Sequence, residues 1–415
     1  MNAFTHKNGE LYAENVPVST LAKEFGTPLY IYSRGYLRNQ FQSLTEAMAE
    51  VDPLICYSVK ANSNVAVLKT LLEAGSGLDI VSGGELYRCL KAGADPHKIV
   101  FAGVGKTRDE IRYAIEEDIL FFTVESESEA ERISECAAEL GKTARIAFRG
   151  NPDVDPQTHK YISTGKKENK FGMDLARLDA AYAKAAELPG IEIAGLHMHI
   201  GSQILNPAPF GEALERIRDF VTRMKEAHPT FRYLDIGGGL GIQYSPDEEA
   251  LDPKKYAEIV VPALKDLGLK VLMEPGRSLV GNSGILVTEV LYIKENAFKT
   301  FVVVDAAMND LLRPSLYQAY HHIEPVVETS ETVFGDMVGP ICESGDFIAA
   351  DRELPLVKEG GLMAVRSAGA YAFAMASNYN TRGRPAEIMV DGDNYHVVRE
   401  RETWDDILKG ESAPA

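Results

Sequence analysis

Apolar residues along this chain fall into two alternating kinds of run. The short kind is rich in Ile, Val, Leu and Phe: "LICYSV", "LDIVS", "IVFAG", "LFFTVE", "ARIAFR", "IAGLHMHI", "YLDIGG" and "KVLMEP". Runs of that length and composition, bounded by turn residues, predict buried strands. The long kind lies between them, as in "VAVLKTLLEAG", "GELYRCLKAGA", "RDEIRYAIEED", "SEAERISECAAELG", "LDAAYAKAAELPG" and "FGEALERIRDFVTRMKEAH". Apolar residues there recur at i, i+3 and i+4, the spacing of an amphipathic helix, and several of these runs stop at glycine. Strands alternating with helices predict an α/β fold whose parallel sheet closes into a (β/α)8 TIM-like barrel. An open doubly wound sheet is the alternative, but no GxGxxG follows the first strand.

The helical period fades after about residue 280, where "GILVTEVLYIKE", "FKTFVVVD", "TVFGDMVGPI" and "AEIMVDGDNYHVVRE" read as strands and turns. This predicts a second, β-rich domain, a sandwich or a barrel. The early run "PLYIYS" is strand-like and precedes the barrel, so it is assigned to that second domain. The expected division is a barrel over residues 33–278 and a β domain made of 1–32 plus 279–415.

In such a barrel, reacting groups sit at the C-terminal ends of the strands. The unusual polar residues fall there. Lys60 ends the first strand, Asp79 lies in the second, and Arg149 ends the fifth. His197 and His199 end the sixth, three glycines (Gly237, Gly238, Gly239) end the seventh, and Glu274 and Arg277 end the eighth. Taken singly, each has an ordinary reading. Lys60 could be a solvated strand end, the glycines a tight turn, either histidine a packed core residue, and "EPGR" a turn with a surface ion pair. Taken together they suit one cofactor, pyridoxal 5'-phosphate (PLP). A lysine amine forms a Schiff base with its aldehyde. A carboxylate beside the ring nitrogen keeps the pyridine protonated. Glycine backbone can approach a phosphate, and an imidazole can lie on a ring face. One HxH pair offers too few ligands for zinc, so no metal is expected.

The whole set of motifs resembles the fold-type III, PLP-dependent decarboxylases, with an alanine racemase-like fold, and within them the diaminopimelate decarboxylase branch. The resemblance spans nearly the whole chain. It is carried by "YSVKANSN", "LDIVSGGEL", "NKFGMD", "HMHIGSQ", "DIGGGLGI", "EPGRSLV", "RPSLYQAYH", "GPICESGD" and "GAYAFAMASNYN". It implies that Lys60 anchors PLP, that His199 stacks on its ring and that Glu274 faces the pyridine nitrogen. It places Ser202, Gly239, Gly276, Arg277 and Tyr371 around the phosphate, with Asp79 and Arg149 ordering the cofactor and Lys60. Arg277, Arg313 and Tyr317 are implied to hold the distal carboxylate of the substrate and Glu343 its distal ammonium, with Tyr371 also at the substrate. Cys342 is implied as a catalytic residue, and it and Glu343 as donated across a homodimer interface. Either Cys342 or Lys60 delivers the final proton. The implied reaction is decarboxylation of meso-2,6-diaminopimelate to L-lysine, the last step of lysine biosynthesis.

The rivals are a decarboxylase of ornithine, arginine or carboxynorspermidine, a catalytically inactive regulatory homologue, and a racemase on the same fold type, which the decarboxylase-type motifs of the β domain disfavour. The ornithine enzymes carry Asp after the cysteine, where this chain has Glu343. An inactive homologue would be expected to have lost Lys60 or Cys342, and both are present.

Bulk properties narrow the partners. A formal net charge of −18 argues against binding to a nucleic-acid backbone. No run approaches the roughly 18 apolar residues of a membrane span, and "MNAFTHKNGELYAENVPV" has no apolar signal-peptide core. The cysteines Cys56, Cys89, Cys136 and Cys342 are scattered with no CxxC, which fits a reducing cytoplasm. The long polar stretch 151–172 is the candidate for a mobile lid.

Overall fold

A computed structural model describes residues 2–155 and 170–414. The expected lid, 151–172, has most of its length outside the described residues. The chain divides into two compact units: residues 40–242 with 249–279, and residues 1–39 with 243–248 and 280–415.

The unit beginning at Gln40 is the barrel. Its strands are β1 (Leu54–Ser58), β2 (Gly77–Ile80), β3 (Ile99–Phe101), β4 (Phe121–Val124), β5 (Ala144–Asn151), β6 (Ile191–His197), β7 (Tyr233–Asp235) and β8 (Lys270–Met273). Each pairs in parallel with the next in sequence. The pairing of β8 with β1, Leu272 opposite Leu54, closes the ring and removes both sheet edges. Every described residue from Phe121 to Val124 is buried, as parallel strands covered on both faces must be.

The helices bury the stripe that their periodicity predicts. In Ala208–Ala227, Phe210, Ala213, Leu214, Ile217, Phe220, Val221 and Met224 are buried, which is the i, i+3, i+4, i+7 face. Glu127–Leu140 begins at Ser126, whose hydroxyl accepts from the Glu129 N–H, and ends at Gly141 with φ 63°. Only glycine takes that left-handed C-terminal turn without steric cost.

The other unit is built on a mixed sheet. Leu29–Ser33 lies between Gly284–Glu295, to which it is antiparallel, and Ala386–Asp391, to which it is parallel. "PLYIYS" is thus hydrogen-bonded between two strands from beyond residue 280. Outward from Gly284–Glu295 run Thr300–Val304, Thr332–Val338 and Phe347–Pro355. Leu29, Ile31, Ile285, Val287, Ile388 and Val390 pack with Leu11, Val18 and Leu21 into one buried cluster.

One local expectation shifts by two residues. The strand read from "LICYSV" stops at Ser58, and Lys60 sits in a single 3-10 turn, Val59–Ala61. The buried Tyr57 hydroxyl donates to the Asn62 carbonyl at 2.9 Å and fastens that turn. The turn lets Val59 and Ala61 stay buried while Lys60 points away from the core.

Candidate active site

At the C-terminal rim of the barrel, Lys60 Nζ donates to Asp79 Oδ2 at 2.9 Å. The Lys60 side chain is 42% exposed and that of Asp79 is fully buried. A buried carboxylate is costly without compensation, and Asp79 draws it from Lys60 and from the Ser58 hydroxyl, 2.8 Å away. Burial raises the Asp79 pKa, as does the Glu274 charge, with Lys60 and Ser58 acting in the opposite sense. Lys60 is therefore a solvent-reachable amine tethered to a buried acid.

Glu274 follows β8, is buried, and receives the His197 ring Nε2–H at 2.9 Å. Burial by itself would raise its pKa, but His197, and then Lys60, outweigh this and lower it, which favours the charged carboxylate. His199 lies two residues beyond the end of β6. Its Nδ1 accepts the Gly238 N–H at 3.2 Å, so its proton is on Nε2. Burial, then the charges of Arg149 and Lys60, hold His199 well below the usual imidazole range. It presents a flat, neutral ring beside an anionic carboxylate.

The glycines after β7 are required by close packing. A Cβ on Gly238 would lie 2.1 Å from the Glu274 carbonyl oxygen. Gly239 has φ 111°, and a Cβ there would lie 2.4 Å from the Gly201 carbonyl. The backbone after β7 is thereby pressed against the residues following β6 and β8. Ser202 Oγ accepts from Arg277 Nη2 at 3.1 Å, which draws the "GSQ" and "PGR" segments together around Gly276.

Arg149, at the end of β5, donates to Glu125 at 3.1 Å, and the two side chains are 8% and 4% exposed. The second Glu125 oxygen takes the Gly172 N–H at 2.6 Å, and the Arg149 guanidinium lies 4.8 Å from the Phe171 ring centre. Glu125→Ala leaves a buried guanidinium without its counter-charge. It is expected to lower the unfolding free energy by about 3–5 kcal/mol, measured from the urea midpoint.

The β-rich unit carries the remaining candidates. Arg313 is buried, shares a 2.9 Å hydrogen bond with His321 Nε2, and lies 4.6 Å from the Tyr244 ring centre. Arginine only donates, so Nε2 accepts, and His321 Nδ1–H donates to the Arg366 carbonyl at 2.8 Å. Tyr317 ends the short helix Arg313–Tyr317 and is partly exposed. Cys342 and Glu343 are exposed; Cys342 N–H donates to Asn380 Oδ1 at 2.9 Å, and Tyr379 hydroxyl donates to Glu343 at 2.6 Å. Tyr371 has φ 56°, unusual for a bulky residue.

A sequence-family model described as "Pyridoxal-dependent decarboxylase, pyridoxal binding domain" matches residues 34–281. The diaminopimelate decarboxylase of Pseudomonas aeruginosa is 50% identical over 413 residues, covering 99% of each chain. That of Aquifex aeolicus is 49% identical over 406 residues, covering 97% of this chain and 96% of its own.

The chain belongs to the diaminopimelate decarboxylase family.

A solved diaminopimelate decarboxylase from Helicobacter pylori, complexed with L-lysine, superposes with a TM-score of 0.90. It is 42% identical and covers 94% of this chain and 98% of its own.

The barrel of this diaminopimelate decarboxylase family member fits a pyridoxal group on its own evidence. Buried polar atoms Asp79 Oδ1, Arg149 Nη2 and Glu274 Oε1 have no hydrogen-bond partner among the described residues. Such atoms are rare in folded proteins without a ligand or water to meet them. An exposed amine, an anion, a neutral ring and glycine backbone converge on one rim, the donor set that PLP needs.

Several contributors escaped the sequence reading. Ser58 and Glu125 are small or ordinary in their motifs and show their roles only through partners. His197 was visible in "HMHIG" as a pair with His199, but not as the partner of Glu274. Asp235 was not singled out, and an acid inside the apolar run "YLDIGG" is the signal that could have found it. Tyr244 and His321 carry no motif that would tie them to Arg313.

Proposed function

We propose that this chain decarboxylates meso-2,6-diaminopimelate to L-lysine and carbon dioxide, with PLP bound through Lys60, as the last step of lysine biosynthesis. The observation that carries this reading is the rim itself: Lys60 tethered to buried Asp79, with anionic Glu274 and neutral His199 beside it. When bound, PLP supplies an electron sink for the pair left behind as the carboxylate departs.

The chain's own groups do the rest. Asp79 holds the Lys60 amine in place and balances its charge. Glu274 would keep a proton on the ring nitrogen, and His199 would lie against the ring without adding a competing cation. Ser202, Gly239, Gly276, Arg277 and Tyr371 would hold the phosphate, and Arg149 would order the barrel mouth through Glu125. Arg277, Arg313 and Tyr317 would take the distal carboxylate of the substrate, with Tyr371 alongside. Glu343 would take its distal ammonium. Cys342 is the preferred donor of the proton to Cα, with Lys60 as the other candidate.

Cys342 and Glu343 lie on the surface of a single chain. That exposure supports a homodimer in which each chain completes the other's site. Four cysteines without a disulfide among them support a reducing, cytoplasmic setting. No helix of the described residues is long and apolar enough to cross a membrane.

The test is to incubate the protein with PLP and a panel of amino acids and to measure carbon dioxide. Release from diaminopimelate, with none from lysine, ornithine or arginine, is the expected outcome. Release from ornithine or arginine instead would move the chain to a sibling activity, and none from any would favour the inactive homologue.

A further inference from the structure

Asp235 is the last residue of β7 and is completely buried. Its Oδ1 accepts the Gly237 N–H at 2.8 Å. Its other oxygen, Oδ2, has no partner among the described residues, and neither does Glu274 Oε1. One oxygen from each carboxyl and one His197 ring nitrogen lie within 4.8 Å of one another. Two carboxylates this close and this dry cannot both be charged. A single proton between them removes the repulsion and turns one into a donor.

We propose that Asp235 holds that proton and donates it in a hydrogen bond to Glu274, fixing Glu274 as an anion aimed at the cofactor ring nitrogen. Asp235 is thus a positioning residue. This rests on the reading of Glu274 as the ring-nitrogen partner and adds the residue that orients it.

The surroundings decide which carboxyl is neutral. Glu274 is met by the His197 N–H and by the field of Lys60. Asp235 faces Glu274 and Asp79, with Cys56 and Tyr256 also close, and the Gly237 N–H is the group that opposes them. Burial, followed by the Glu274 charge, raises the Asp235 pKa well above the usual carboxylate range. A neutral Asp235 costs no second buried charge, and its hydrogen bond to an anion is of the stronger, charge-assisted kind.

The test compares holoenzyme variants. Asp235→Ala removes the donor and is expected to lower kcat/KM by about 10- to 100-fold. Asp235→Asn keeps a neutral donor toward Glu274 and an acceptor for Gly237, and is expected to recover most of that loss. In the infrared, the wild-type protein should show the C=O stretch of a buried protonated carboxyl, and Asp235→Asn should lack it. Absence of that band from the wild type overturns the proposal. So does an Asp235→Asn protein that is folded yet as impaired as Asp235→Ala. If Asp235→Ala does not fold, the Asn variant and the infrared band still decide. Glu274→Gln separates the two readings. Loss of activity there alongside a failed Asp235 test removes only Asp235, whereas retained activity removes the role of Glu274 itself.

Discussion

Replacing Lys60 with alanine is expected to abolish turnover and the Schiff-base absorbance of the PLP-loaded protein together. The expected loss is on the order of 10^3-fold or more in kcat, because on the proposed reading the residue is both covalent anchor and candidate proton donor. The structure gives the reason that no neighbour can stand in. Lys60 is the amine hydrogen-bonded to Asp79, and Asp79 is fully buried. Removing the ammonium takes away the positive charge that opposes the upward shift of the Asp79 pKa, so Asp79 is pushed toward its neutral form. A retained Schiff-base band in Lys60→Ala would move the anchor elsewhere.

Arg313→Ala is expected to reduce kcat/KM for diaminopimelate by about 2–5 kcal/mol, roughly 30- to 5,000-fold. Diaminopimelate differs from lysine and ornithine by its distal carboxylate, and on the proposed reading Arg313 would lose that charge-assisted contact with the simpler amino acids. Arg313 is prepared for such a task. A neutral His321 accepts one of its N–H groups and Tyr244 lies 4.6 Å from its guanidinium carbon, which fixes the plane of the fork. Steady-state kinetics with diaminopimelate check this, with thermal unfolding as the control for folding. Unchanged kinetics would remove Arg313 from the site.

Legibility in the sequence followed range. The strand and helix periods are local, so all eight barrel strands could be read from runs of five to eight residues. The stripe on Ala208–Ala227 was readable for the same reason. The barrel in turn placed Lys60, Asp79, Arg149, His199, Gly239, Glu274 and Arg277 at one rim before any distance was known, since that fold gathers its strand ends. The end of β1 was less legible. The apolar run continues through Val59, but the backbone turns after Ser58 because the Tyr57–Asn62 hydrogen bond closes a buried loop.

Which polar groups pair across the barrel could not be read in this way. His197 meets Glu274 over a separation of 77 residues, and Arg149 meets Glu125 over 24. A motif records the presence of an acid, not the partner that sets its charge. The chain alone determined the alternation of strands and helices, the amine at Lys60 and the acids near it, because periodicity and residue chemistry are properties of short segments. The tertiary structure decided that His197 and Lys60 favour a charged Glu274, that burial favours a neutral His199 and that Asp235 shares their site. Charge states depend on burial and on groups a few ångströms away, and only folding brings those groups together.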